Sequence, residues 1–140
     1  MIEGLIDFSD WCKLDLRVGQ IVKVEDIEGA DKLYKLTIDL GELGKRIVCA
    51  GLKQHYDKND LLDKRIILFV NLTPRKMKGI ESQGMLLAAS SDNGTTRVYN
   101  HKGCENLQAG PDKSFAKIFT RGKVVLIVPE DDIELGSRVR

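Results

Sequence analysis

Histidine, cysteine, proline and tryptophan are scarce in this 140-residue chain, at two, three, three and one. Each shortage excludes something. Cys12, Cys49 and Cys104 are odd in number and form no Cys-x-x-Cys pair, which argues against a disulfide framework and for a reducing, cytoplasmic setting. A zinc centre needs about four ligands. His101 and Cys104 are close in sequence, but only Cys12, Cys49 and His55 remain to join them, so no metal or other cofactor is expected. Neither histidine accompanies a serine or cysteine in a nucleophile motif, and no GxxxxGK[ST] or GxGxxG loop occurs. The chain is therefore not expected to be an enzyme by itself. Apolar runs such as 66–70 are strand-sized, far short of the ~18 residues of a membrane helix. The first residues lack the basic start and apolar core of a secretory signal.

What is present reads as a globular domain. The 42% hydrophobic and 31% charged content suits a soluble chain with one core. The net charge of +1 conceals an uneven distribution. Residues 1–31 carry eight acids against three bases, whereas residues 32–91 carry eleven bases against six acids. Residues 92–123 are again basic, six against three, and 124–140 acidic, four against two. A basic middle between acidic ends is a possible footprint for phosphate, although such stretches are more often simply solvated surface.

Apolar residues recur with a period of two, the mark of strands. Leu14, Leu16 and Val18 alternate with Asp15 and Arg17, and beyond Gly19 the pattern resumes at Val22 and Val24. A glycine in mid-strand predicts a bulge or bend. Tyr34, Leu36, Ile38 and Leu40 predict a second strand, 46–50 a third, 65–72 a fourth that is apolar on both faces, and 85–89 a fifth. Ser9 or Asp10 is a candidate cap for a turn leading into Trp11, and 56–64 fits a short helix between the third and fourth strands. Five short strands with a helix between the third and fourth are the order of an all-β, five-stranded OB-fold Greek-key barrel, with other small barrels left open by the pattern alone. The expected layout is one domain over 1–140: barrel 14–91, insertion 92–122 with short strands at 96–99 and 115–119, and a closing C-terminal segment 123–140. Trp11 is expected to act as a lid, and Tyr34 to face the core with Leu36 and Ile38.

The informative stretch is 71–89, NLTPRKMKGIESQGMLLAA. Arg75, Lys76 and Lys78 crowd into a connection between strands four and five, which in an OB barrel borders the nucleic-acid face. Mobile cations with small polar groups suit phosphate and ribose, and a hairpin whose lysines serve solubility is the plain alternative. This stretch resembles the signature of a tRNA-binding domain family. The family includes the C-terminal domain or small subunit of methionyl-tRNA synthetase, free-standing tRNA-binding proteins, and synthetase cofactors related to endothelial-monocyte-activating polypeptide. Further matches follow in order at 15–19 (DLRVG), 30–34 (ADKLY), 39–41 (DLG), 46–48 (RIV), Gly51 and 136–139 (GSRV). The resemblance covers 8–91 and 124–140; residues 92–122 depart from it.

The resemblance implies an RNA-binding surface of Arg17, Lys32, Lys35, Asn71, Arg75, Lys76, Lys78, Ser82 and Met85. By residue type, the lysines and Arg75 would bind phosphate, and Arg17 would do so or brace the sheet. Asn71 and Ser82 would donate to backbone or ribose, while Met85 would pack on a base or be buried. The implied function is a non-catalytic tRNA-binding protein or subunit that raises the tRNA affinity of an aminoacyl-tRNA synthetase, most naturally the methionyl enzyme. The alternative is a protein-binding role as an export-chaperone-like or scaffold member. Because the domain starts close to Met1, a free-standing protein or separate subunit is expected. A homodimer is also expected, built partly on Ile133, Leu135 and Val139.

Overall fold

Period two becomes strand in the computed structural model, which describes residues 4–91 and 123–140. The strands are β1 (Leu16–Asp26), β2 (Tyr34–Asp39), β3 (Lys45–Ala50), β4 (Arg65–Phe69), β5 (Arg75–Met77), β6 (Ile80–Ser82), β7 (Met85–Leu86), β8 (Ala88–Ser90) and β9 (Val124–Leu126). Among the described residues helix is confined to α1 (Phe8–Trp11), α2 (Lys58–Leu61) and a 3-10 turn, Gly41–Leu43. The chain divides into two compact units, Met1–Leu87 with Leu126–Arg140, and Ala88–Val125. In the second unit Ser91 donates its N–H to the Lys123 carbonyl at 2.8 Å, and β8 pairs with β9. The strands expected at 96–99 and 115–119, and the His101–Cys104 turn, lie outside the described residues.

In the first unit β3, β2, β1, β4 and β7 form one antiparallel sheet in that order. Strand β1 serves two neighbours in turn. Its first half, Leu16 to Gln20, pairs with β4, and its second half, Gln20 to Asp26, pairs with β2. The sheet curls until its far edges meet. Gln83 donates its N–H to the Ile47 carbonyl at 2.8 Å, its side-chain oxygen accepts the Ile47 N–H at 3.1 Å, and Arg46 donates to the carbonyls of Val70 and Gln83. The result is the expected all-β, OB-like fold.

The curl encloses Ile21, Leu36, Ile38, Leu40, Val48, Leu61, Ile66 and Leu68, all fully buried. Each contributes roughly 1.5–3 kcal/mol through burial. Ile67 points the opposite way and explains why β4 is apolar on both faces. With Leu16 and Val18 it forms a second cluster, covered by Trp11 and Leu14 from the N-terminal turn and by Leu135 and Val139 from the C-terminal segment. Trp11 is thus a half-buried lid on the outer face of β1 and β4.

The C-terminal segment occupies the edge of β1 that β2 leaves free. Val18 donates to the Ser137 carbonyl at 2.9 Å, Gly136 to Val18 at 2.8 Å and Val139 to Leu16 at 2.8 Å.

Four local expectations need correction. The bulge in β1 falls between Ile21 and Lys23, not at Gly19. Gly19 is there for clearance, since a Cβ would lie 2.6 Å from Ile38 Cγ2. The cap of α1 is Asp7, whose extended backbone (φ −76°, ψ 154°) admits the chain to the helix, whereas Ser9 and Asp10 are already inside it. Helix α2 is one turn, because Leu62 turns extended and Asp63 left-handed (φ 67°) to give its N–H to Ile21. The fifth strand breaks after Leu86, where Leu87 bonds Ile67 and the exposed residues Ala88–Ser90 pair with β9.

Candidate nucleic-acid interface

The basic connection is itself a hairpin. Met77 sits opposite Ile80, so β5 and β6 are joined by two residues, Lys78 and Gly79, with φ of 51° and 82°. Two positive φ values define a type I′ turn, whose twist matches that of the strands it joins. Along β5, Arg75 and Lys76 are exposed and Met77 is half-buried. Met77 and Ile80, like Leu33, pack on the buried cluster of Ile27, Ala30 and Cys49, which ties the hairpin to the β1–β2 loop and to β3. This apolar contact brings the basic residues of two distant segments to one rim.

Lys32 is exposed on the β1–β2 loop, next to Leu33. Lys35 lies on β2 opposite Cys49; burial pushes the Cys49 thiol up, and the Lys35 charge pulls it partly back. Lys76 and Lys78 flank Met77, and Arg75 stands at the base of the hairpin opposite Ser82. Among the described residues, no carboxylate comes within ion-pair distance of Lys32, Lys35, Arg75, Lys76 or Lys78. Glu28 and Asp31 share the loop and Glu81 faces Lys76 across the hairpin, so the rim is mixed with a positive excess.

The other residues implicated by sequence are engaged elsewhere. Ser82 is 5% exposed; its hydroxyl accepts the Cys49 N–H at 3.0 Å and donates to the Gly84 carbonyl at 3.3 Å. It seals the barrel and has no donor left for ribose. Asn71 accepts the Asp15 N–H at 2.8 Å and donates to the Lys13 carbonyl at 2.7 Å, clamping the N-terminal turn to the end of β4. Arg17 takes its bracing alternative: it pairs with Asp15 at 2.6 Å and donates to the Gly136 carbonyl at 3.0 Å. Met85 is 48% exposed and sits opposite Phe69, away from the hairpin tip. Tyr34 is buried, and its hydroxyl donates to the Tyr56 carbonyl at 2.9 Å.

Met77 and Ile80 escaped the sequence reading. The available signal was slight: Gly79 suits a two-residue hairpin turn, but lysine is not one of the residues that usually precede it there.

A small OB-like barrel with cations gathered where the β1–β2 loop meets the β4–β7 connection has the architecture of a nucleic-acid-binding module. The chain belongs to the family described as "Putative tRNA binding domain", whose profile matches residues 16–107. It is 42% identical over 135 residues to a methionine–tRNA ligase of Thermococcus onnurineus, covering 96% of this chain and 14% of that one. The chain thus spans about one-seventh of the length of that relative. A solved methionyl-tRNA-synthetase-related protein of Pyrococcus horikoshii superposes with a TM-score of 0.73 at 29% identity, over 98% of this chain and 99% of the other. The CsaA chaperone protein of Picrophilus torridus superposes with a TM-score of 0.70 at 27% identity, over 97% and 100%.

Proposed function

We propose that this chain is a non-catalytic tRNA-binding module that works in the cytoplasm beside a methionyl-tRNA synthetase and raises its affinity for tRNA. The observation that carries this reading is the rim of cations that have no carboxylate partner among the described residues, held in place by the packing of Met77 and Ile80 on the β1–β2 loop. Such a rim engages the phosphate backbone, and a folded RNA is selected by its shape and 2′-hydroxyls. The expected result is micromolar-range tRNA binding that weakens steeply with salt, with weaker binding of a DNA duplex of matched length. Equal affinity for the two at physiological salt reduces the module to a generic polyanion binder. Addition of the chain to a methionyl-tRNA synthetase that lacks such a domain is expected to lower the KM for tRNA.

A second reading, a protein-binding module, draws on the apolar side chains Leu5, Ile6 and Phe8, which are 69–80% exposed. Beside Phe8 and Trp11 a groove of about 310 Å³ runs to Val139 and Arg140. Binding of unfolded polypeptide there would be insensitive to salt, the reverse of tRNA binding. The same patch suits a homodimer. Of the three residues expected to mediate it, Ile133 is exposed, whereas Leu135 and Val139 are half-buried in their own chain, and Leu5, Ile6 and Phe8 offer the larger exposed apolar surface.

A further inference from the structure

We propose that Lys53 and Lys58, bridged by Asp26, form a second phosphate-binding patch that continues the basic rim from the β1–β2 loop onto α2. Asp26 is the last residue of β1, and each of its oxygens receives one ammonium: Lys53 at 3.0 Å and Lys58 at 2.7 Å. Within this triad two ammoniums share one carboxylate; Glu25, paired with Lys23 at 3.8 Å, also faces Lys58, while Asp57 and Asp60 on α2 accept each other's backbone N–H groups in a capping box. Each ammonium carries three N–H donors, so donors remain after the bond to Asp26.

The patch is contiguous with the rim. The Lys53 backbone N–H donates to the carbonyl of Lys32 at 3.3 Å, and the Lys53 ammonium stands 6.0 Å from the centroid of the Tyr34 ring. The Lys53 and Lys58 side chains are 32% and 47% exposed, so a polyanion can reach both. Both ammoniums are held in place by Asp26 before any ligand arrives. Hydrogen bonds from Lys58 and then Lys53 keep the Asp26 carboxyl below its ordinary value, and Asp26 in turn raises Lys58. Pre-positioned cations lose less side-chain freedom on binding than free surface lysines do.

The inference rests on the tRNA reading, and the experiment separates the two. Fluorescence anisotropy of labelled tRNA with the whole chain, across a salt series, gives affinity and salt slope. Lys53→Ala and Lys58→Ala are each expected to lower the slope by about 0.7–0.9, and the double variant by the sum. Lys45→Ala, at the opposite end of β3, is expected to leave affinity and slope unchanged. If the double alanine variant does not fold, Lys53→Gln with Lys58→Gln keeps a donor toward Asp26 and removes only the charges, with the same loss expected. A double variant with the original affinity and slope, while Lys76→Ala with Lys78→Ala binds poorly, overturns the second patch alone. If neither pair changes binding, the tRNA-facing rim falls with it.

Discussion

Lys78 carries the conflict between folding and binding in one residue. It is exposed, and it adopts the left-handed φ of 51° that the turn requires. Asparagine or glycine tolerates that conformation better than a long side chain, by roughly 1 kcal/mol. Lys78→Asn is therefore expected to raise the melting temperature slightly while lowering tRNA affinity and the salt slope by about 0.7–0.9. Thermal melts and a salt titration on the same preparation check both halves, and unchanged binding removes Lys78 from the rim. Ser82 should behave in the opposite way. Ser82→Ala leaves the buried Cys49 N–H without an acceptor, at a cost of about 1–3 kcal/mol. Provided the variant is folded, its tRNA affinity is expected to match the parent. Loss of binding without loss of stability would restore Ser82 as a contact. Lysine in a basic loop was legible from sequence, whereas serine, asparagine and arginine bond backbone and RNA equally well. Arg17 and its Gly136 acceptor lie 119 residues apart, so only folding reveals which partner is taken.

The end of β1 and the start of α2 are joined by charge, and that joint responds to pH. Asp26 has a folded pKa below its ordinary 3.8, owing first to the Lys58 hydrogen bond and then to that of Lys53. An unfolded chain therefore takes up the proton at higher pH than the folded one. The stabilisation is complete above 3.8 and is lost as pH falls through the lower folded value. Lys58, raised above 10.5 by Asp26, gives the mirror image: complete below 10.5 and lost as pH climbs through the raised value. Melting curves of the parent and Asp26→Asn are expected to differ by a constant margin at neutral pH. They should converge in acid below the ordinary aspartate range. A margin that persists unchanged at pH 2.5 or so assigns the effect to something other than this carboxylate. The strands themselves were readable from alternation, but the hairpin was not separated from a plain loop. Its anchors, Met77 and Ile80, gain meaning only against Ile27 and Ala30, some fifty residues upstream in a different turn.

For the whole molecule, the exposed apolar patch at Leu5, Ile6 and Phe8 bears on assembly. Patches of this kind favour self-association, most often as a two-fold dimer. Light scattering at tens of micromolar is expected to give twice 15.7 kDa for the parent and a single mass for Leu5→Asp with Phe8→Asp. A parent mass near 15.7 kDa rejects the dimer. The sequence by itself determined the barrel and its family, because period-two alternation sets which face of each strand is buried and the motifs recur in order. It also placed Arg75, Lys76 and Lys78 in the connection between the fourth and fifth strands. Only the tertiary structure decided that Arg17, Asn71 and Ser82 hold the barrel together while Lys32 and Lys35 join the hairpin at one rim. The reason is physical: a polar side chain is claimed by whichever partner the fold brings within hydrogen-bonding distance, and that distance is absent from the order of residues along the chain.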